Sequence, residues 1–122
     1  MESHPLTIET DPRVEDVRFL EDRLYAYGVE QTGVNDGQWL AIFLRDDQQT
    51  IQAGLKGWTW CGSCYIQTVW VHKDLRGQGV GTKLLHAAEQ EARRRGCQQM
   101  ILTSYSFQAP GFYQQLGFEV VA

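Results

Sequence analysis

The sequence predicts a single domain over residues 1–122, of the α/β (α+β) class, in which helices flank a mixed, mostly antiparallel sheet. Short apolar runs with the length of strands alternate with segments whose apolar residues recur every three or four positions. One of these strands passes directly into a glycine-rich loop and then into a helix. The composition, 43% hydrophobic and 21% charged, is ordinary for a globular chain. A chain of this length can bury a core without disulfides or metals.

The first third of the chain predicts a strand, a helix and a second strand. Residues 6–10 alternate apolar and polar side chains, which favours a short strand. Asp11 followed by Pro12 is typical of a helix start. The residues after it form one apolar face, made of Val14, Val17, Leu20, Leu24 and Tyr27. Residues 39–44 are almost continuously apolar, so we expect a central strand buried on both faces.

The rest of the chain adds to the sheet. Residues 51–60 predict the next strand, with Gly54 and Gly57 as candidates for a bulge. A tight hairpin leads into the strand 65–71. The helix after the glycine-rich loop has a buried stripe and ends at a glycine, through Val80, Leu84, Leu85, Ala88, Ala92 and Gly96. Three more elements are predicted, a strand, a short helix and a last strand, over 100–103, 109–116 and 118–121.

The loop at residues 76–81 reads Arg-Gly-Gln-Gly-Val-Gly and opens a helix. Such a turn leaves backbone N–H groups without intrahelical acceptors, at the positive end of the helix dipole. The sequence therefore predicts an anion site, for which phosphate is the usual ligand. Arg76 can add a charge-assisted contact at its edge. The glycine spacing excludes both the dinucleotide fingerprint and the P-loop, and leaves R-x-x-G-x-G.

Charge and composition limit the partners. The net charge of −4 argues against nucleic acid or an anionic membrane as the main partner. No apolar run approaches the length of a membrane span, and the N-terminus lacks the features of a signal peptide. The odd count of three cysteines indicates no disulfide framework. We therefore expect a cytoplasmic protein.

The motif formed by Arg76, Gly79 and Gly81 resembles the acetyl-CoA pyrophosphate loop of the GNAT (GCN5-related) N-acetyltransferase superfamily. Farther on, Ala109-x-x-x-Tyr113-x-x-x-Gly117-Phe118 is similar to the other signature of that family. Two signatures in the right order, about thirty residues apart, are much harder to obtain by chance than one. The resemblance covers residues 39–121 and implies the GNAT acyl-CoA N-acyltransferase fold. We expect the last antiparallel strand of that fold to be missing after Phe118.

The resemblance implies acetyl-CoA as cosubstrate, bound along two segments. The backbone of Val69, Trp70 and Val71 would pair with the pantetheine arm, with the Val71 N–H directed at the thioester oxygen. The pyrophosphate would meet the loop and the first turn of the helix, at Arg76, Gly77, Gln78, Gly79, Val80, Gly81 and Thr82. Ser106 stands where the family often has an asparagine, which weakens one expected cofactor contact.

The resemblance also implies catalytic roles. Tyr113 would be the general acid that protonates the departing CoA thiolate, and the alternative is a packing tyrosine on an amphipathic helix. A base is needed if the amine arrives protonated. Glu30, His72 and an ordered water all stay open for that role, and the favoured interpretation of His72 is an exposed loop residue.

These observations predict an N-acetyltransferase in which a primary amine attacks acetyl-CoA directly in a ternary complex. The acceptor, a small molecule or a peptide amine, is not determined by the fold. Because the expected missing strand leaves an open sheet edge, we expect a homodimer. The alternative is a non-catalytic acyl-CoA-binding module on the same scaffold. Trp58 and Trp60 are open to two interpretations, as the lining of an acceptor pocket or as packing residues.

Residues 60–64, Trp-Cys-Gly-Ser-Cys, look like the active-site pentapeptide of thioredoxin. That chemistry needs the first cysteine at a helix N-terminus, where the dipole lowers its pKa. The β-rich residues after Cys64 predict a hairpin turn instead. A zinc site lacks a second pair of ligands with matching spacing, so we expect no metal.

Overall fold

The structure, a computed structural model, describes residues 4–103, 113 and 117–119. The chain divides into two compact units, Met1–Asn35 and Asp36–Ala122. Each unit is described by itself. The expectation of one domain over residues 1–122 stays a prediction.

The first unit contains one helix, α1 (Val14–Thr32). The helix begins two residues later than Asp11 and Pro12 suggest, because Arg13 is the extended N-cap residue and makes no side-chain cap. The predicted strand at 6–10 is wrong: these residues have no regular structure, and Leu6 and Ile8 are each 96% exposed. Alternation of apolar and polar residues produces a strand only where a second strand completes the backbone hydrogen bonds.

The second unit is a sheet with the strand order β1-β2-β3-β4. Its strands are β1 (Gln38–Arg45), β2 (Ile51–Trp60), β3 (Ser63–Val71) and β4 (Gln99–Leu102). The pairs β1–β2 and β2–β3 are antiparallel, and β4 runs parallel to β3. The connection between β3 and β4 contains a short 3₁₀ turn, Lys73–Leu75, and the helix α2 (Val80–Arg94). This is the predicted mixed sheet.

The helix α2 covers one face of the sheet. Its buried residues are at the spacing that the sequence predicts, Leu84, Leu85, Ala88 and Ala92. They pack with Leu40, Ala53, Leu55, Cys64 and Ile66 of the strands. The helix ends as predicted at Gly96, where the Cys97 N–H donates to the Ala92 carbonyl at 2.9 Å.

The prediction for residues 39–44 is wrong in part. They form a strand, but β1 lies at the edge of the described sheet rather than at its centre. Leu40 is buried, whereas Trp39 is 53% and Phe43 48% exposed. The cause is that α2 packs on one face of the sheet, and an apolar run does not reveal which of its alternate side chains face that helix.

The predicted helix at 109–116 and strand at 118–121 lie mostly outside the described residues. Tyr113 is described as helical, and residues 117–119 as a turn and irregular chain. In the described part of the chain, no helix is long and apolar enough to cross a membrane.

Candidate active site

The glycine-rich loop connects β3 to α2 and adopts a conformation that glycine permits. Gly77 and Gly79 have φ angles of +76° and +81°, in the left-handed region that other residues enter at a cost. Gly79 is also the N-cap residue of α2, and its carbonyl accepts from the Lys83 N–H at 3.1 Å. The N–H groups of residues 79–82 precede this first helical bond, so helix geometry gives them no intrahelical acceptor.

This loop fits a diphosphate group. A Cβ atom added at Gly77 or Gly79 would meet no atom within 4 Å, so the space beside the loop is open. The donors are backbone N–H groups at the positive end of a helix of 15 residues. Open space beside backbone donors at a helix N-terminus is the arrangement that the prediction of an anion site requires.

The end of β3 presents backbone groups away from β2. The His72 N–H donates to the Gln52 carbonyl at 2.8 Å, next to the paired residues Ala53 and Val71. Successive N–H groups of a strand point to opposite edges. The N–H groups of Val69 and Val71 therefore point away from β2, and that of Trp70 points toward it.

On that outer side, β3 pairs with β4 only over its first residues. The parallel pairing ends at Ile66 and Leu102. Within the described residues, Val69 and Val71 thus lie on an edge without a strand partner. This open edge leads directly into the glycine-rich loop, so an extended ligand with an anionic end can contact both.

A bulge separates the paired half of β3 from the open half. Lys56 pairs with Thr68, but Gly57 pairs with Ile66, so Gln67 is an extra residue on β3. A Cβ atom at Gly57 would lie 2.6 Å from the Tyr65 carbonyl oxygen. Gly57 therefore permits the close approach of the two strands. The sequence predicted a bulge here, and the structure assigns its extra residue to the opposite strand.

The side chain of Arg76 lies closer to β3 than the sequence suggested. Its Nε donates to the carbonyl of Val71 at 3.0 Å. Nearby, the Gln78 side-chain amide donates to the Asp74 carbonyl at 3.0 Å. Arg76 therefore joins the glycine-rich loop to the end of the strand, a contact for which the sequence carries no local signal.

Comparison with known proteins places this geometry in a family. The family model for the acetyltransferase (GNAT) domain matches residues 38–120. An acetyltransferase of Agrobacterium fabrum is 37% identical over 99 residues, which are 81% of this chain and 72% of the relative. The chain belongs to the GNAT acetyltransferase family.

Two further comparisons agree with that assignment. Blasticidin-S acetyltransferase of Streptomyces morookaense is 34% identical over 86 residues, 67% of this chain and 61% of the relative. A solved structure from Agrobacterium tumefaciens, described as a candidate acetyltransferase, has a TM-score of 0.85 at 32% identity. It covers 98% of this chain and 87% of the other. The predicted family and fold class are confirmed, and GNAT enzymes act on amine acceptors.

Tyr113 packs against the hydrophobic core that also contacts Val69, Val71 and Val80. Its ring meets that of Phe118 edge to face, with 6.3 Å between the centroids. Burial raises the pKa of the Tyr113 phenol, so the group keeps its proton at neutral pH. This environment suits a packing residue and a proton donor alike. Ser106 lies outside the described residues.

Among the residues that the structure describes, none is singled out as a base for a GNAT reaction. His72 uses its Nδ1 to accept from the Asp74 N–H at 3.1 Å, and the Asp74 carboxylate lies 3.6 Å from the same nitrogen. A lone pair engaged in the loop is not available to an incoming amine. Glu30 lies in α1, in the other compact unit.

The cysteine motif forms the predicted hairpin turn. Cys61 and Gly62 connect the paired residues Trp60 and Ser63 and have φ angles of +54° and +80°. Cys64 is fully buried in β3, and this burial raises the pKa of its thiol to about 11. An inaccessible, protonated thiol does not support the chemistry of thioredoxin. Among the residues that the structure covers, no cluster of three or more ligating side chains could hold a metal.

Trp58 and Trp60 lie toward the hairpin end of the sheet. Trp58 contacts Trp39 edge to face, with 4.8 Å between the centroids. Trp60 borders a cavity of about 300 Å³ together with Arg95 and Cys97. Both tryptophans lie near the start of β3, whereas the glycine-rich loop follows its end, about 25 Å away along the strand. The contact with Trp39 fits the packing interpretation of Trp58, and Trp60 lines the cavity.

Proposed function

We propose that this GNAT protein transfers the acetyl group of acetyl-CoA to a primary amine, by direct attack in a ternary complex. The observation that carries the proposal is the continuity between the open edge of β3 and the glycine-rich loop. Acetyl-CoA supplies a thioester at the end of an extended arm with amide groups, and a diphosphate farther along. One such molecule can contact both features at once.

The proposal gives each segment a role in binding. The N–H groups of residues 78–82 hold the diphosphate, with Arg76 and Gly77 at the edge of the loop. The arm lies along the outward edge of β3, beside Val69 and Val71. Trp70 keeps the strand in register through β2, because its own N–H points inward and it pairs with Gly54.

Two groups of the chain act on the reacting atoms in this proposal. Attack on a thioester develops negative charge first on the carbonyl oxygen and then on sulfur. An N–H preorganised at that oxygen, here that of Val71, is worth about 3 kcal/mol. Tyr113, which burial keeps protonated, gives its phenolic proton to the departing sulfur, and the proton released by the attacking amine passes to solvent water, from which the phenol is protonated again.

The second candidate is a non-catalytic acyl-CoA-binding module. It is favoured by the engagement of the His72 Nδ1 within the loop, which removes the nearest candidate base. Both candidates bind coenzyme A, and they differ in turnover. The experiment that separates them must therefore measure binding and acetyl transfer on the same variant.

Tyr113→Phe provides that test. We expect its kcat for acetyl transfer to fall by about a hundredfold or more, with coenzyme A affinity unchanged. Products are measured by mass spectrometry on a panel of amines, since the exposed Cys61 would react with thiol reagents. The panel includes blasticidin S, which the name of the Streptomyces relative suggests, and other cationic amines that suit a chain of net charge −4.

Tyr65→Phe is the matched control, because Tyr65 also lies on the second unit and is partly exposed. Equal activity of the two variants would remove Tyr113 from the chemistry. Coenzyme A binding without turnover on any amine would establish the module instead. A single domain, a homodimer and a cytoplasmic location remain part of this proposal.

A further inference from the structure

The peptide bond between Val71 and His72 is held from both sides. On the inner side, the His72 N–H donates to the Gln52 carbonyl of β2 at 2.8 Å. On the outer side, the Val71 carbonyl accepts from Nε of Arg76 at 3.0 Å. Arg76 therefore occupies the position on the outer edge where the N–H of another strand would otherwise bind.

This contact uses only part of the guanidinium group. Arginine carries five N–H donors in a planar fork, and the strand contact is made through Nε. Arg76 is exposed and lies three residues before Gly79, beside the N–H groups that begin α2. Its terminal nitrogens are therefore the part of the fork that can meet an anion bound at the loop.

We propose that Arg76 is a positioning residue that couples the two halves of the site. It aligns the outer edge of β3 through the Val71 carbonyl while its terminal nitrogens face the diphosphate. This inference rests on the proposed function. It adds that binding of the pantetheine arm depends on the Arg76 side chain, which recognition by backbone groups alone does not require. The affinity for the pantetheine arm should therefore fall when the hydrogen bond from Arg76 to the Val71 carbonyl is lost.

Lysine and glutamine separate the two roles of the side chain. Lysine keeps the positive charge but has one ammonium group, which cannot hold the carbonyl and face the phosphates in the same geometry. Glutamine keeps an amide donor and removes the charge. Because Arg76 is exposed, we expect both variants to fold.

The test compares two ligands on each variant by calorimetry. Adenosine 3′-phosphate 5′-diphosphate contains the diphosphate without the arm, and acetyl-CoA contains both. For Arg76→Lys we expect fragment affinity within about twofold of the wild type and acetyl-CoA affinity about tenfold weaker. For Arg76→Gln we expect both affinities to fall, that for acetyl-CoA by the larger factor. Lys73→Gln is the control, because it removes a neighbouring positive charge without touching Val71.

A second measurement needs no ligand. Amide hydrogen exchange at His72 should be about tenfold faster in Arg76→Lys than in Lys73→Gln, because one side of the Val71–His72 peptide is released. Equal factors for both ligands, or unchanged exchange at His72, would overturn the positioning role while leaving acetyl-CoA binding intact. A wild-type chain that binds neither ligand would overturn the proposed function as well.

Discussion

At its first residues, β3 pairs with strands on both edges, and at its last residues it pairs, among the described strands, with β2 alone. Near the hairpin, Ser63 accepts from the Gln99 side-chain amide at 2.7 Å, and Cys64 is fully buried. Near the loop, the N–H groups of Val69 and Val71 face outward beyond the end of the pairing with β4. One strand therefore combines a hydrogen-bonded end that supports the fold with an end whose donors are available to a ligand.

The two ends of the helix α2 differ in the same way. Its C-terminus is tied to the sheet by Arg95, which is 16% exposed and donates to the Trp39 carbonyl at 3.1 Å and to the Thr59 hydroxyl at 3.0 Å. Its N-terminus carries donors that precede the first helical bond at Lys83. Polar groups that are satisfied within the chain stabilise it, and those that are not are the ones that can recognise a ligand.

The largest expected effect concerns cysteine reactivity at the hairpin end. With a pKa of about 11, only about a thousandth of Cys64 is thiolate at pH 8. We expect iodoacetamide to modify the exposed Cys61 at least about a hundred times faster than Cys64 in the folded protein. Mass spectrometry of peptides gives the two rates, and the difference should vanish in urea. Comparable rates in the folded state would mean that the reagent reaches Cys64 and that this end of β3 is not buried.

Removal of the arginine at the end of α2 tests the same region by stability. Arg95→Met leaves the buried Thr59 hydroxyl and the Trp39 carbonyl without this donor, which should lower the free energy of unfolding by about 3 kcal/mol. Urea denaturation measures the change. Arg93→Met is the control: Arg93 pairs with Glu89 while its side chain is 75% exposed, so its loss should cost less than about 1 kcal/mol. Equal losses of unfolding free energy in the two variants would show that Arg95 does not tie the end of α2 to the sheet.

Two glycines of equal conformation offer a matched test of the two helix ends. Gly79 and Gly96 have φ angles of +81° and +80°, and a Cβ atom at either would meet no atom within 4 Å. Gly79→Glu and Gly96→Glu should each lower stability by about 1–2 kcal/mol through the same backbone strain. Only Gly79→Glu should weaken coenzyme A binding, by about a hundredfold, through strain and charge at the anion site. Similar losses of coenzyme A affinity in the two variants, measured by calorimetry, would refute the assignment of the glycine-rich loop as the diphosphate site.

The smallest effect is a shift in acid stability. Hydrogen bonds from Arg94 and then Arg95 lower the pKa of Glu91 from 4.5 to about 2. Because the pKa is lower in the folded state, this pair contributes stability above pH 4.5, and the contribution is lost as the pH falls toward 2. Glu91→Gln should therefore reduce the change in the free energy of unfolding between pH 4.5 and pH 2. Between about pH 7 and pH 8 the pH dependence should stay as in the wild type. An identical acid profile would show that the pairs are fully screened.

Local features of the chain were predictable because their causes are local. The left-handed turn at Gly79, the buried stripe of α2 and the hairpin at Cys61 all follow from residues within a few positions of one another. The prediction at residues 39–44 failed because burial depends on which face α2 covers. The strand at 6–10 failed because a strand needs a partner.

The sequence by itself determined the family and the glycine-rich turn that opens α2, since the effect of glycine spacing reaches over only one or two turns. The tertiary structure decided where β3 stops being paired, that Gln67 is the extra residue of the bulge, and that Arg76 reaches the Val71 carbonyl. These features depend on strand register and on the approach of distant backbone groups. No local pattern encodes them, because each depends on how the described strands pair and pack against α2.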